Sequence, residues 1–182
     1  MNADAAVPPA ADLAPRLSEL EQKLAELETR TKVGEDTEAI RQLMYRYING
    51  LAFTKWDQLL DCFAEDAVFD VGILVQTGKP AIVKFFTEVI SKGHHGTDGL
   101  ILAQPLISVD GDRAKGEWTL YWMLMYELTG QALLWMQYTY DIDYVRVNGE
   151  WKIGHLVFKG RIVPKIDPEK LKTPGAIAFP GT

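Results

Sequence analysis

Residues 36–70 read DTEAIRQLMYRYINGLAFTKWDQLLDCFAEDAVFD, two helical periods followed by a strand. Ile40, Leu43, Met44, Tyr47, Ile48 and Leu51 fall at i, i+3, i+4, i+7, i+8 and i+11, one face of a helix of about four turns. Asp36 is the expected N-cap, and Gly50 lies near the expected end. Thr54-Lys55-Trp56-Asp57 reads as a capping box. It opens a shorter helix that turns Trp56, Leu59, Leu60 and Phe63 inward. The helical period is lost at Ala67, and Ala67-Val68-Phe69-Asp70-Val71 starts a strand.

On the N-terminal side, residues 1–12 are expected to be disordered. Leu13, Leu17, Leu20, Leu24 and Leu27 then repeat at alternating steps of four and three among Glu, Lys and Gln, a short heptad pattern. Two readings stand: a helix lying on the domain's own surface, since so short a helix is marginal without packing, or a subunit contact. Thr31 to Glu35, with Gly34, is the expected hinge. Residues 1–35 are therefore set apart from a domain at 36–162 and a C-terminal arm at 163–182.

On the C-terminal side, Gly72 to Thr77 reads as a turn or short hairpin arm. Pro80 sits in the first turn of a third helix, where its missing N–H costs nothing. That helix carries Ile82, Phe85, Phe86 and Val89 and ends near Gly93. After the polar loop His94–Gly99 the pattern becomes β: Leu100–Val109, then 113–127, a return strand to about Val147, and Trp151–Arg161. Asp110-Gly111-Asp112 and Asn148-Gly149 are hairpin turns. Three long antiparallel strands after three helices predict an α+β fold, a curved sheet wrapping helices into a cone. The arm after Ile162 is punctuated by Pro164, Pro168, Pro174 and Pro180 and should hold little regular structure.

A 20.4 kDa chain can bury about 70% of its unfolded surface without staples. The net charge of -6 and the lack of a long Lys/Arg run argue against nucleic acid as a partner. The single cysteine, Cys62, excludes an internal disulfide and a Cys-based zinc site, and its place on the second helix predicts a small core residue. Three histidines in two distant places argue against a metal. No secretory signal and no membrane-length apolar run are seen, so the expected compartment is the cytoplasm.

The residues expected to face inward are strongly aromatic: Tyr47, Trp118, Trp122, Tyr126, Tyr138 and Tyr140. Aromatic rows commonly do no more than fill a core. Three or more inward tyrosines, however, need partners for their hydroxyls, which favours a polar-lined pocket for a flat, ring-containing, hydroxylated ligand. His155 alternates with Trp151 and Ile153, so it is expected to face the same way, as a core residue or a ligand contact.

Arg46-Tyr47, Trp56-Asp57, the run Phe63–Asp70 and Asn148–Ile153 resemble the signature positions of an NTF2-like, SnoaL-like domain over residues 36–162. The resemblance implies the cone fold. Its cofactor-free dehydratases use a tyrosine on the first helix, an aspartate five residues later and a histidine on the sheet. Tyr47 matches the tyrosine, but Ala52 and Ala103 stand at the other two positions, and Trp122 stands where a further acid would be. His95 fills the histidine role only if the loop shifts by a gap.

Asp70 ends the first strand, where ketosteroid isomerase places its general base; the alternative role is a strand-end hydrogen-bond acceptor. Lys159 and Arg161 fall within a residue of a functional arginine of the bile-acid dehydratase, a place from which to steady an oxyanion. The expectation is a cofactor-independent lyase acting on a small hydroxylated aromatic or alicyclic compound, including a lignin-derived diarylpropane that loses formaldehyde. The catalytic set would be Tyr47, His95, Asp70 and Arg161. Trp118, Trp122, Tyr126, Tyr138, Tyr140, His155 and Lys159 would contact substrate. A polyketide cyclase, a ketosteroid-isomerase-like enzyme and a non-catalytic binding or assembly module are the alternatives. The same resemblance, with outward Tyr121, Met123 and Met125, implies a homo-oligomer, a trimer before a dimer.

Overall fold

The computed structural model describes residues 10–92, 99–126 and 132–162, with side chains at 13–92, 99–123 and 135–162. The chain forms two compact units, Met1–Glu38 and Ala39–Thr182. Helix α1 runs without a break from Ala10 to Ala52, so the expected hinge at Thr31–Glu35 is helical and Asp36 lies inside the helix, away from its N-terminus. A lone glycine in a helix costs only about 1 kcal/mol relative to alanine. The Glu, Lys and Arg residues around Gly34 are good helix formers that absorb that cost.

In the larger unit, Ile40, Leu43, Met44, Tyr47, Ile48 and Leu51 are all buried, as their spacing predicts. Gly50 lets α2 (Trp56–Leu60) come close, because a Cβ there would stand 3.0 Å from the Leu59 backbone. The expected capping box is absent: Lys55 occupies the N-cap, no side chain caps the helix, and Thr54 takes a left-handed φ of 53°. The tight turn spends Thr54 on backbone geometry. Leu59 and Leu60 are buried as expected, but Phe63 already opens a strand.

That strand, β1 (Phe63–Asp70), pairs with the short arm β2 (Val75–Thr77). Helix α3 (Lys79–Glu88) has Pro80 in its first turn and buries Ile82, Phe85 and Phe86, while Val89 lies beyond its end and is exposed. A 3-10 turn follows at Ile90–Lys92. Strands β3 (Gly99–Asp110), β4 (Arg113–Tyr126), β5 (Ala132–Val147) and β6 (Glu150–Ile162) complete a curved six-stranded sheet in the order β2-β1-β6-β5-β4-β3. All its pairings are antiparallel except β1 with β6. Asn148 and Gly149 both have positive φ, the tight two-residue turn that their sequence predicts.

One face of the sheet is apolar. Ala114, Trp118 and Leu120 of β4, Tyr140, Ile142 and Tyr144 of β5, and Trp151, Ile153 and Leu156 of β6 join the α1 and α3 side chains in one core. Within it Trp118 Nε1 donates to the Tyr144 hydroxyl at 2.9 Å. Gly116 makes room for that pair, since a Cβ there would meet the Tyr144 ring at 2.7 Å and Trp118 Nε1 at 3.1 Å. Gly116→Ala should therefore cost about 1–3 kcal/mol, read as a lower urea midpoint at an unchanged slope.

Candidate active site

Tyr47 and Tyr140 meet on the inner side of the sheet. Their rings pack edge to face at 5.9 Å between centroids, and Phe63 packs against Tyr47 in the same manner at 5.8 Å. Only 1% of Tyr47 and 2% of Tyr140 is exposed. The Tyr47 and Tyr140 hydroxyls are hydrogen-bonded to each other. Burial, then the neighbouring Tyr140 oxygen, pushes the Tyr47 pKa well above its ordinary value. Burial raises Tyr140 as well, against the opposing effect of its hydrogen bond with Tyr47. Neither phenol is ionised at neutral pH, so the pair is a hydrogen-bond donor and not a base.

Half-buried rings lie next to this pair. Tyr138 stacks on Phe158 at 4.3 Å, Phe158 stands 5.2 Å from Tyr140, and Trp122 stands 5.9 Å from Tyr138. The Tyr138 hydroxyl donates to Met136 Sδ at 3.3 Å, and burial raises its pKa. Along β5 the inner face therefore passes from the fully buried Tyr144 and Tyr140 to the half-buried Tyr138. Each of these tyrosines follows the strand's two-residue period.

The polar candidates among the described residues do not converge on this pair. Phe69 is buried among Phe63, Phe85 and Phe86, so its neighbour Asp70 points to the other face of β1. There Asp70 Oδ1 accepts from the Gly72 N–H at 2.6 Å, as a strand-end acceptor does. His155 also faces outward, contrary to its alternation with Ile153. The β5–β6 pairing slips between Ile153 and His155, which leaves Gly154 as an extra residue and reverses every side chain beyond it. His155 Nδ1 lies 3.8 Å from Asp143 Oδ2.

Lys159 shares the outer face, where its Nζ donates to Asp141 Oδ2 at 2.6 Å. That hydrogen bond raises the Lys159 pKa, helped by the charges of Asp141, Asp70 and Glu117. Arg161 is exposed, in a second slip between the Tyr138–Gly160 and Gln137–Ile162 pairs. Trp118 is core and donates to the Tyr144 hydroxyl. His94, His95 and the Tyr126 side chain lie outside the described residues.

An open groove of about 460 Å³ also lies on the outer face. The slip between Ala103 and Leu106 opens it beside Glu117, Thr119, Thr139 and Asp141. The sequence did not point to this groove, although a proline inside a strand, Pro105, is a signal for such an irregularity. Trp118, Pro105 and Leu106 also line it, and its two acids are not enclosed, Glu117 being exposed and Asp141 half-buried. Cys62 is a core residue as expected, its thiol pushed up to about 11 by burial and bonded to the Gln58 carbonyl at 3.3 Å. Among the described residues, no three His, Cys, Asp or Glu side chains gather as metal ligands would. No helix there is long and apolar enough to cross a membrane.

The raised phenols also tie stability to pH. Tyr47, Tyr140 and Tyr144 all have folded-state pKa values above the ordinary value of 10.0, chiefly through burial. Their contribution is complete below pH about 10 and is lost as pH rises further, because the unfolded chain then releases protons that the folded chain keeps. Each phenol adds about 1.4 kcal/mol of loss per pH unit in that range. The urea midpoint should stay flat up to pH about 9 and fall steeply above 10, and Tyr140→Phe should make the fall shallower.

Residues 33–157 match the SnoaL-like domain model, and the chain belongs to that family. Its NTF2-like architecture recurs in solved structures. A protein from Novosphingobium aromaticivorans, provisionally described as an aromatic ring hydroxylase, shares 27% identity with a TM-score of 0.62, over 71% of this chain and 91% of its own. A provisional scytalone dehydratase from the same species shares 19% at a TM-score of 0.62, over 70% and 85%. The hexachlorocyclohexane dehydrochlorinase LinA-type3 of Novosphingobium barchaimii shares 19% at 0.62, over 79% and 94%. No curated protein matches the chain.

Proposed function

We propose that this chain is a cofactor-independent lyase that eliminates a leaving group from a small hydroxylated aromatic or alicyclic compound. The observation that carries the reading is the Tyr47–Tyr140 hydroxyl pair, kept protonated beside the half-buried rings of Tyr138, Phe158 and Trp122. A substrate ring stacks on that layer, and the Tyr140 proton polarises the substrate hydroxyl. Because tyrosinate is costly there, the pair polarises the leaving oxygen without giving up its proton. A separate group must remove the C–H proton and return it to the leaving hydroxyl as water departs and the double bond forms. His95 is assigned that task, and Arg161 steadies developing negative charge. Dehydration and dehydrochlorination, the activities named for two structural neighbours, are both eliminations. The name of the third neighbour points to ring compounds. The finer candidate is a two-ring diarylpropane that loses water and then formaldehyde.

A second reading, a ligand-binding module without chemistry, is favoured by Ala52 and by the outward placement of Asp70, His155 and Lys159. A thermal-shift panel of phenolic dimers, steroids and polyketides, followed by turnover assays of every hit, separates the two. A hit converted to an unsaturated product supports the lyase. Hits that bind unchanged support the module, and an isomerised steroid or cyclised polyketide would replace elimination with those chemistries.

A further inference from the structure

We propose that the N-terminal part of α1 is one strand of a parallel coiled coil between copies of this chain. Leu13, Leu20 and Leu27 take heptad position d, and Leu17 and Leu24 take position a, because the a-to-d step is three and the d-to-a step is four. These five leucines are 45–62% exposed, inside a helical run from Leu13 to Glu35 in which every residue is exposed. Thr31 and Gly34 hold the next a and d positions, so the apolar seam stops short of Glu38, where the smaller unit ends.

The flanking positions carry the argument. Position g holds Arg16, Lys23 and Arg30; position e holds Glu21, Glu28 and Glu35. In a parallel, in-register coil, each g residue faces the e residue five positions further along the other chain. The facing pairs are Arg16 with Glu21, Lys23 with Glu28, and Arg30 with Glu35, each repeated by symmetry, and every one is opposite in charge. An antiparallel coil sets g against g and e against e, which places like charges together throughout. A helix resting on its own domain gives no reason for such sorting. The pattern is complementary to itself in one direction only, which identifies the occupant as a second copy of this chain. In the single chain Lys23 Nζ bonds Glu19 Oε1 at 2.5 Å, and assembly exchanges that contact for Glu28 of the second copy. Three strands would use the same pairs as two, so light scattering reads the number. The inference is independent of the elimination chemistry.

The test uses the full chain with a reporter cysteine, since Cys62 is only 1% exposed. Leu27→Cys at a d position near the seam's end should form an interchain disulfide on mild oxidation. Thr29→Cys, at the outward f position, should crosslink at least tenfold less. Added to Leu27→Cys, the triple change R16E/K23E/R30E should abolish crosslinking, as should E21K/E28K/E35K. Mixing the two charge variants should restore it between unlike chains, which also shows that neither had simply unfolded. Equal crosslinking at positions 27 and 29, no crosslinking at 27, or charge variants that crosslink as well alone as mixed would each overturn the proposal.

Discussion

Tyr47→Phe should leave a folded chain that converts its substrate about 10²–10³ times more slowly, the usual effect of removing one preorganised hydrogen-bond donor. The ring contacts with Phe63 and Tyr140 survive the change, and only the hydroxyl bonded to that of Tyr140 is lost. The stability cost should be about 1 kcal/mol, the net worth of one hydrogen bond. Tyr140 then loses the partner that fixes its hydroxyl, so kcat should fall more than KM rises. Tyr140→Phe removes the proposed substrate contact itself and should be at least as damaging, with binding also weakened. The measurement is kcat and KM on a converted hit of the ligand panel, beside a urea titration of each variant. A Tyr47→Phe chain that unfolds early yet keeps full activity per folded molecule would make Tyr47 a packing residue.

Tyr47 was legible because helical spacing alone fixes which face of α1 is buried. Tyr140 and Tyr144 were legible for the matching reason on β5, where period-two alternation holds across the run. The sequence does not show which tyrosines touch. Tyr144 pairs with Trp118 and Tyr140 with Tyr47, partners 26 and 93 positions apart, and such pairings depend on register and helix docking. The misreadings have local physical causes. His155 was placed inward because alternation was carried through Gly154, although a glycine inside a strand is itself a bulge signal. Reading that glycine as a bulge would have put His155, Val157 and Lys159 outside and Leu156 and Phe158 inside. Gly34 was given too much weight as a breaker in a segment rich in helix formers. Thr54 was read by its cap motif when its backbone was needed for a turn.

The placement of the charged residues narrows what the inner face can do. Asp70, Asp141, Asp143, His155 and Lys159 lie together on the outer face, paired or hydrogen-bonded there, and the inner face holds phenols and hydrocarbon. Phenols with raised pKa values donate hydrogen bonds well and accept protons poorly. A site built only from the described inner residues would bind and polarise a hydroxyl without completing an elimination. The missing function is a base, and Ala52 and Ala103 stand where the resemblance would put the aspartate and histidine that supply one.

His95→Ala tests whether that base comes from the segment between Lys92 and Gly99. General acid–base catalysis contributes about 10²–10⁴-fold, so kcat/KM should fall at least 10²-fold while the affinity for a panel hit changes little. His94→Ala is the adjacent control and should change kcat/KM much less. Asp98, three residues beyond His95, is the proposed orienting carboxylate, because an imidazole held by an acid is a better base than a free one. Asp98→Asn should therefore give an intermediate loss. Asp70→Asn should leave turnover intact, since Asp70 faces the outer side of the sheet and the replacement amide can still accept from the Gly72 N–H. A large loss from Asp70→Asn would mean that its carboxylate reaches the substrate, and the outward assignment would fail. Equal small effects from His94→Ala and His95→Ala, together with an active Asp70→Asn chain, would leave the site without a proton carrier. The chain would then be a binding module.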